Sequence, residues 1–402
     1  MRMSCIAAFG SFAFVVLVAG CGNGQQAMRA LPFDRQPTRD TMAERVVYSF
    51  SGEPSDGQNP TAPLIDVGGT LYGTTSLGGT DYGGGTVFAL TLSGAETPIY
   101  TFKGYPSDGS APNGVIAVHG VLYGTTACNG AYGYGGGGVV FSLTKRGREQ
   151  VLYSFPGSRC DGPYAALTNV NGTLYGTTFG TELEGVIFSI TTSGTERTVH
   201  RFRGPNGAFP MASLLNVNGT LYGTTSLGGV DHYAGFGTVF SITTARKESV
   251  LHRFRGSRDG SFPTAGLVDV GGTLYGTTTY NGRVGGKCGT YGCGTIFKVT
   301  TSGQETVLHR FRGSPDGANP MAGLINVNGT LYGTTYEGGV TGAGTVFSVT
   351  RSGSESVVHS FTGGSYDGGN PEASLISING TLYGTTYSGG TYGLGTVFSL
   401  TP

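Results

Sequence analysis

Four histidines, His200, His252, His309 and His359, recur about fifty residues apart, a pattern that first raises metal ligation or acid/base chemistry. Repeating with them are Asp56, Asp108, Asp161, Asp259, Asp316 and Asp367, each followed by glycine, with Asn206 in the remaining place. A third column holds Glu96, Glu149, Glu196, Glu248, Glu305 and Glu355. Alignment of the columns weakens each chemical reading. Tyr48, Tyr100 and Tyr153 fill the histidine column elsewhere, and a ligand position would not accept tyrosine so freely. These side chains read as flat wedges between structural units. One carboxylate per repeat is poor calcium coordination, because calcium takes six or more oxygens from one site. The nearby proline, as in Asp316-Gly317-Ala318-Asn319-Pro320, instead marks a turn whose aspartate bonds local backbone. The glutamates follow a Ser-Gly-type turn and read as edge-strand charges. Arg201, Arg253 and Arg310 read as a solvated face.

Asp81, Asp231, Glu182, Glu184 and Glu337 remain, without the spacing of an acid/base pair. No nucleophile elbow, zinc-binding His-Glu-x-x-His or phosphate-cradling loop is present. No catalytic residue, no metal and no cofactor is therefore expected. The net charge is zero and 12% of residues are charged, so nothing favours nucleic acid as a partner.

The element that positions all these columns is Asn328-Gly329-Thr330-Leu331-Tyr332-Gly333-Thr334-Thr335 and its copies. Its Gly-Thr-Thr core starts at Gly73, Gly124, Gly176, Gly223, Gly276, Gly333 and Gly384, at intervals of 51, 52, 47, 53, 57 and 51 residues. Each unit cuts into four short β-rich runs: Leu-Ile-Asn-Val, Leu-Tyr-Gly-Thr-Thr, Gly-Thr-Val-Phe and Val-Leu-His-Arg-Phe. An Asn-Gly turn joins the first two, because both residues take positive φ readily. The Ser-Gly turn is too short to cross a sheet, whereas the dozen residues around Asp-Gly can do so. The spacing predicts a seven-bladed all-β propeller with Leu-Ile-Asn-Val innermost. The chain ends on a third strand, 395–401, and its folded part begins on a fourth, 46–50; their pairing is expected to complete the seventh blade and remove two open edges.

Two segments precede that body. Residues 1–20 read as a lipoprotein signal peptide, with an apolar run from Ala7 to Val18 ahead of Leu17-Val18-Ala19-Gly20-Cys21. Cys21 is the expected lipidation site, and Gly22 after it favours the outer membrane. Residues 21–43 read as a lipidated flexible tether and 44–402 as the propeller. In an oxidising compartment two disulfides are expected, Cys128–Cys160 and Cys288–Cys293.

Antiparallel blades gather the glycine-rich loops and the Asp-Gly connections on one face. Tyr82, Tyr132, Tyr134, Tyr233, Tyr291 and Tyr392 lie in those loops as candidate ligand contacts, since a tyrosine ring suits stacking on sugar or capturing peptide. The repeated Leu-Tyr-Gly-Thr-Thr, the Gly-Gly after it and Gly-Thr-Val-Phe resemble the bacterial GloVer tandem repeat of secreted choice-of-anchor proteins. The resemblance runs from residue 44 onward. The second and third repeats depart from it at Gly138-Val139-Val140-Phe141 and Gly185-Val186-Ile187-Phe188. The layout is also similar to kelch repeats, without their tryptophans. Neither resemblance implies a defined activity. The expected function is a monomeric, non-enzymatic, lipid-anchored envelope propeller that binds glycan or protein on its loop face. The alternative is a polysaccharide hydrolase or lyase using acids on that face.

Overall fold

A computed structural model describes residues 44–402, apart from 53–55, 80–82, 158–159, 181–183, 231–234, 244 and 283. Seven four-stranded antiparallel sheets form the blades of a β-propeller, and the described residues include no α-helix. Blade six shows how the sequence builds the unit. Its strands are Ile325–Val327, Thr330–Thr335, Thr345–Val349 and Glu355–Ser360, adjacent in space in chain order. Asn328 and Gly329, at φ 53° and 89°, make the tight turn that pairs Val327 with Thr330. The first strands of consecutive blades contact one another, which puts Leu-Ile-Asn-Val innermost.

The repeated Gly-Thr-Thr has a packing reason at each residue. A Cβ on Gly333 would lie 2.7 Å from Phe347 Cζ and 2.8 Å from Leu324 Cδ2, so the phenyl ring of the third strand needs a glycine opposite it. Thr334 donates its hydroxyl to Ala373 O (3.4 Å) in the next blade, as Thr125 does to Ala165 O (2.9 Å) and Thr277 to Ala322 O (3.0 Å). Thr335 Oγ1 lies 2.8 Å from Thr345 Oγ1, tying the second strand to the third.

Seven hydrophobic clusters lie between neighbouring blades rather than within them. Between blades five and six, Tyr275 and Ile296 meet Leu324, Leu331, Phe347 and Val349. An aromatic chain crosses the same junction: His309 packs edge-on to Phe311 at 4.9 Å, and Phe311 to Phe347 at 5.2 Å. The histidine column is thus wedged between blades. A β-bulge precedes the Tyr or His of every outer strand, as at Val358, the extra residue between Val357 (opposite Phe347) and His359 (opposite Val346), and re-aims the fourth strand toward its neighbour.

The strand that opens the folded body is Glu44–Ser49, two residues ahead of the expected 46–50. It pairs antiparallel with Thr396–Leu400, Glu44 opposite Leu400 and Ser49 opposite Thr396, as the outermost strand of blade seven. Phe50 leaves the strand for the core, where Val47, Phe50 and Val397 of blade seven meet Leu64, Leu71 and Phe88 of blade one.

Candidate functional site

Antiparallel pairing places the Asp-Gly connections and the loops between second and third strands at one end of each blade, and the two sets interlock. Gly57 and Gln58 pair with Gly78 and Leu77, Gly317 and Ala318 with Gly338 and Glu337, and Gly368 and Gly369 with Gly389 and Ser388. The Gly-Gly pairs are needed here: at Gly338, with φ 83°, a Cβ would sit 2.4 Å from Asp316 O. Asparagines just before the prolines then bridge blades. Asn370, held at φ 56°, donates its side-chain amide to Tyr336 O (3.0 Å), while its carbonyl accepts from Tyr387 N (3.1 Å). Asn319 does the same between Thr279 O and Tyr336 N, and Asn59 donates to Tyr387 O (2.9 Å).

These clamps fix the residues that follow Gly-Thr-Thr at the loop-face end of the second strand. In blades five to seven they carry a track of aromatic and acidic side chains. Tyr291 packs on Tyr280 with ring centroids 6.1 Å apart; Tyr280 in turn senses Glu337, and Tyr336 senses Glu337, Glu372 and Tyr387. Burial pushes the Glu372 carboxyl up to about 7 and, with the carboxylates, pushes Tyr336 up to about 12. Tyr387 is raised as well, by burial first and Glu372 second. Across the ring, Tyr164, Phe179 and Phe209 form a second aromatic row, the latter pair stacked at 4.6 Å.

Of the tyrosines expected to face ligand, Tyr132, Tyr134, Tyr291 and Tyr392 are exposed, Tyr134 at 93%. Among the described residues they make no ring contact with one another, and only Tyr291 joins the track. Tyr82 and Tyr233 lie outside the described residues, as do Cys21, Asp81, Asp231 and Glu182. Tyr280, Tyr336, Tyr387 and Glu372 were not among the expected contacts. The column directly after Gly-Thr-Thr (Ser76, Ala127, Phe179, Ser226, Thr279, Tyr336, Tyr387) carries the signal that would have found the last two tyrosines. Disulfides join Cys128 to Cys160 and Cys288 to Cys293, stapling the loop face at blades two and five.

The Asp-Gly aspartates cap turns: Asp316 accepts from Arg312 N (3.0 Å) and Gly317 N (2.7 Å). The glutamate column opens the outer strands, as expected of edge-strand residues, but it is not solvated there. Each sits partly buried at a blade junction, and Glu44, Glu96, Glu149, Glu305 and Glu355 face the Tyr or His of the preceding blade or the aspartate beside it. Burial raises all of them, Glu44, Glu96, Glu149 and Glu355 to about 7. Three junctions bring His, Asp and Glu ligand atoms within 4.8 Å of one another: His252, Asp259 and Glu305; His309, Asp316 and Glu355; His359, Asp367 and Glu44. Cavities of about 370 and 470 Å³ open beside the first and second of these.

The family model described as the Gloeobacter/Verrucomicrobia repeat matches residues 33–183, 136–288 and 284–402. None of the curated proteins matches the chain. Among solved structures, the computationally designed Ika8 protein is similar over 88% of this chain and 99% of its own, at 11% identity and a TM-score of 0.46. A puromycin-hydrolysing peptidase of Mycobacterium tuberculosis is similar over 85% of this chain and 53% of its own (12% identity, TM-score 0.48). PorZ, described as a bacterial surface component of the type-IX secretion system of Porphyromonas gingivalis, is similar over 86% of this chain and 47% of its own (13% identity, TM-score 0.46). The chain spans about half the length of the latter two.

Proposed function

The chain belongs to the Gloeobacter/Verrucomicrobia repeat family, and from that premise we propose a non-enzymatic propeller of the cell envelope that binds glycan or protein on its loop face. The observation that carries this reading is the track Tyr291–Tyr280–Tyr336–Tyr387 with its flanking carboxyls. Flat apolar faces with hydroxyls at their edges suit a sugar chain better than a small molecule, because they offer stacking and hydrogen bonds along a line. The asparagine clamps hold the backbone of Tyr336 and Tyr387, so little ordering entropy opposes binding. The disulfides and the repeat family point to an extracellular or envelope protein. The lipid anchor on Cys21, an outer-membrane address and a monomeric state are part of the proposal. A glycan array followed by titration tests it: Tyr336→Ala and Tyr387→Ala are each expected to weaken the ligand about tenfold or more, on the order of 1–2 kcal/mol. Unchanged affinity in both variants would move the site elsewhere.

A second reading, a polysaccharide hydrolase or lyase, is favoured by Glu372, whose carboxyl is held near neutral pH within electrostatic reach of Tyr336. Glu372→Gln separates the two readings. Turnover of an envelope polysaccharide that this variant abolishes would establish the enzyme, whereas binding retained with no turnover in either protein supports the binding module.

A further inference from the structure

The seven blade junctions solve one electrostatic problem in two ways. In each, a glutamate and an aspartate, or Asn206 at the His200 junction, face an aromatic residue from the preceding outer strand. Where that residue is tyrosine, its hydroxyl supplies the proton: Tyr48 donates to Asp56 Oδ2 at 2.9 Å and Tyr100 to Asp108 Oδ2 at 2.5 Å. Where it is His200, the aspartate is replaced by Asn206, whose amide donates to His200 Nε2 (2.9 Å) and also bonds Glu248. The remaining three junctions set a histidine Nε2 against an aspartate and a glutamate. With the imidazole proton on Nδ1, a lone pair and two carboxylates converge there.

We propose that the junctions of blades five and six (His309, Asp316, Glu355) and of six and seven (His359, Asp367, Glu44) bind a first-row divalent metal cation of the Zn²⁺ type. In the first, His309 Nε2 lies 3.2 Å from Asp316 Oδ2 and 3.9 Å from Glu355 Oε2. Ligands about 2.0–2.2 Å from a cation sit roughly 3–3.5 Å apart, so a small rotation of Glu355 completes three-point coordination and leaves a position for water. Glu355 supplies an independent sign. Its side chain is 9% exposed, and its Oε1 is sealed from solvent with no hydrogen-bond partner. Glu44 Oε1 is orphaned in the same way, as are Oε1 of Glu149, Glu248 and Glu305 at other junctions, so it is a histidine and an aspartate together beside the orphan that single out the junctions of His252, His309 and His359. A buried carboxylate oxygen without a partner is costly, and a cation drawn between the three groups would relieve that cost for the whole carboxylate. Backbone amides already fix the aspartates from behind, as Thr362 N (2.7 Å) and Gly368 N (2.7 Å) fix Asp367. One imidazole with two carboxylates suits zinc and its neighbours better than calcium, which prefers an all-oxygen shell.

Local charge orders the sites. Glu44 feels only Asp367 and His359, whereas Glu355 also feels Arg312. The third junction, His252 with Asp259 and Glu305, is lined by Arg255, Arg258 and Arg310 and is expected to bind far more weakly. The sequence reading set metal aside because tyrosine shares the histidine column. That tyrosine now provides the control.

The test uses tag-free exported protein, stripped with chelator and titrated with Zn²⁺ by calorimetry, with metal content measured after dialysis. About two equivalents are expected, and at a hundred times the dissociation constant each site should lower the unfolding constant about a hundredfold. The double variant His309→Tyr/His359→Tyr installs the residue that blades seven, one and two use, so it should fold. It should lose both equivalents while melting like the chelator-treated parent. Equal zinc uptake by parent and variant would overturn the assignment. So would no uptake by the parent.

Discussion

At the scale of single residues, the fold depends on a contact too close for any side chain but hydrogen. Gly73, Gly124, Gly176, Gly223, Gly276, Gly333 and Gly384 each lie under a phenylalanine of the third strand, with a built Cβ 2.5–2.7 Å from the ring Cζ. The neighbouring atom is the end of a buried aromatic that is itself locked between blades, so it has little room to yield. Gly333→Ala is expected to destabilise the protein by about 1–3 kcal/mol through overpacking, measured by denaturant unfolding. Combining it with Phe347→Leu should cost less than the two changes separately, because the shorter side chain vacates the place the methyl group needs. Additive losses would mean that the glycine is required for some other reason.

At the scale of elements, the disulfides act on the loop face, where hydrogen-bonded ladders are two residues long. Cys128–Cys160 closes a separation of 32 residues and Cys288–Cys293 one of 5. Loop entropy assigns them about 3–4 and about 2 kcal/mol. Cys128→Ser/Cys160→Ser should therefore lose more stability in a guanidinium titration than Cys288→Ser/Cys293→Ser; the reverse order would show that local packing outweighs chain entropy. Elements were also what the sequence showed most clearly. Asn328-Gly329, Gly333 under Phe347 and the tight Ser-Gly turn dictate strands, partners and order through purely local geometry. The site was less legible, because its members belong to different repeats. Tyr280, Tyr336 and Glu372 come together only when the blades curve into a ring. The glutamates were misjudged for the same reason: within its own repeat Glu355 reads as an edge charge, and its partners His309 and Asp316 belong to the blade before it.

At the scale of the whole molecule, those glutamates make stability depend on pH. Glu44, Glu96, Glu149, Glu355 and Glu372 are held at about 7 against an ordinary 4.5, chiefly by burial. Between those values the folded chain binds protons that the unfolded chain has released, so stability falls as pH rises. The neighbouring carboxylates Asp367, Asp56, Asp108 and Asp316 push the same way, whereas His359, Lys103, His309 and Arg312 oppose them without cancelling the effect of burial. In chelator, the melting temperature is expected to be higher near pH 5 than near pH 8. A profile rising across that window would show the glutamates to be better solvated than their surroundings imply.

The pairing of Glu44–Ser49 with Thr396–Leu400 also sets a timetable. The outer strand of blade seven is synthesised before blade one, yet its partner emerges only after all six intervening blades, so while they are being made it has no edge to join. Six blades can accumulate neighbour by neighbour. The seventh must wait, and final assembly becomes one late, long-range event that a stalled or clipped chain cannot reach.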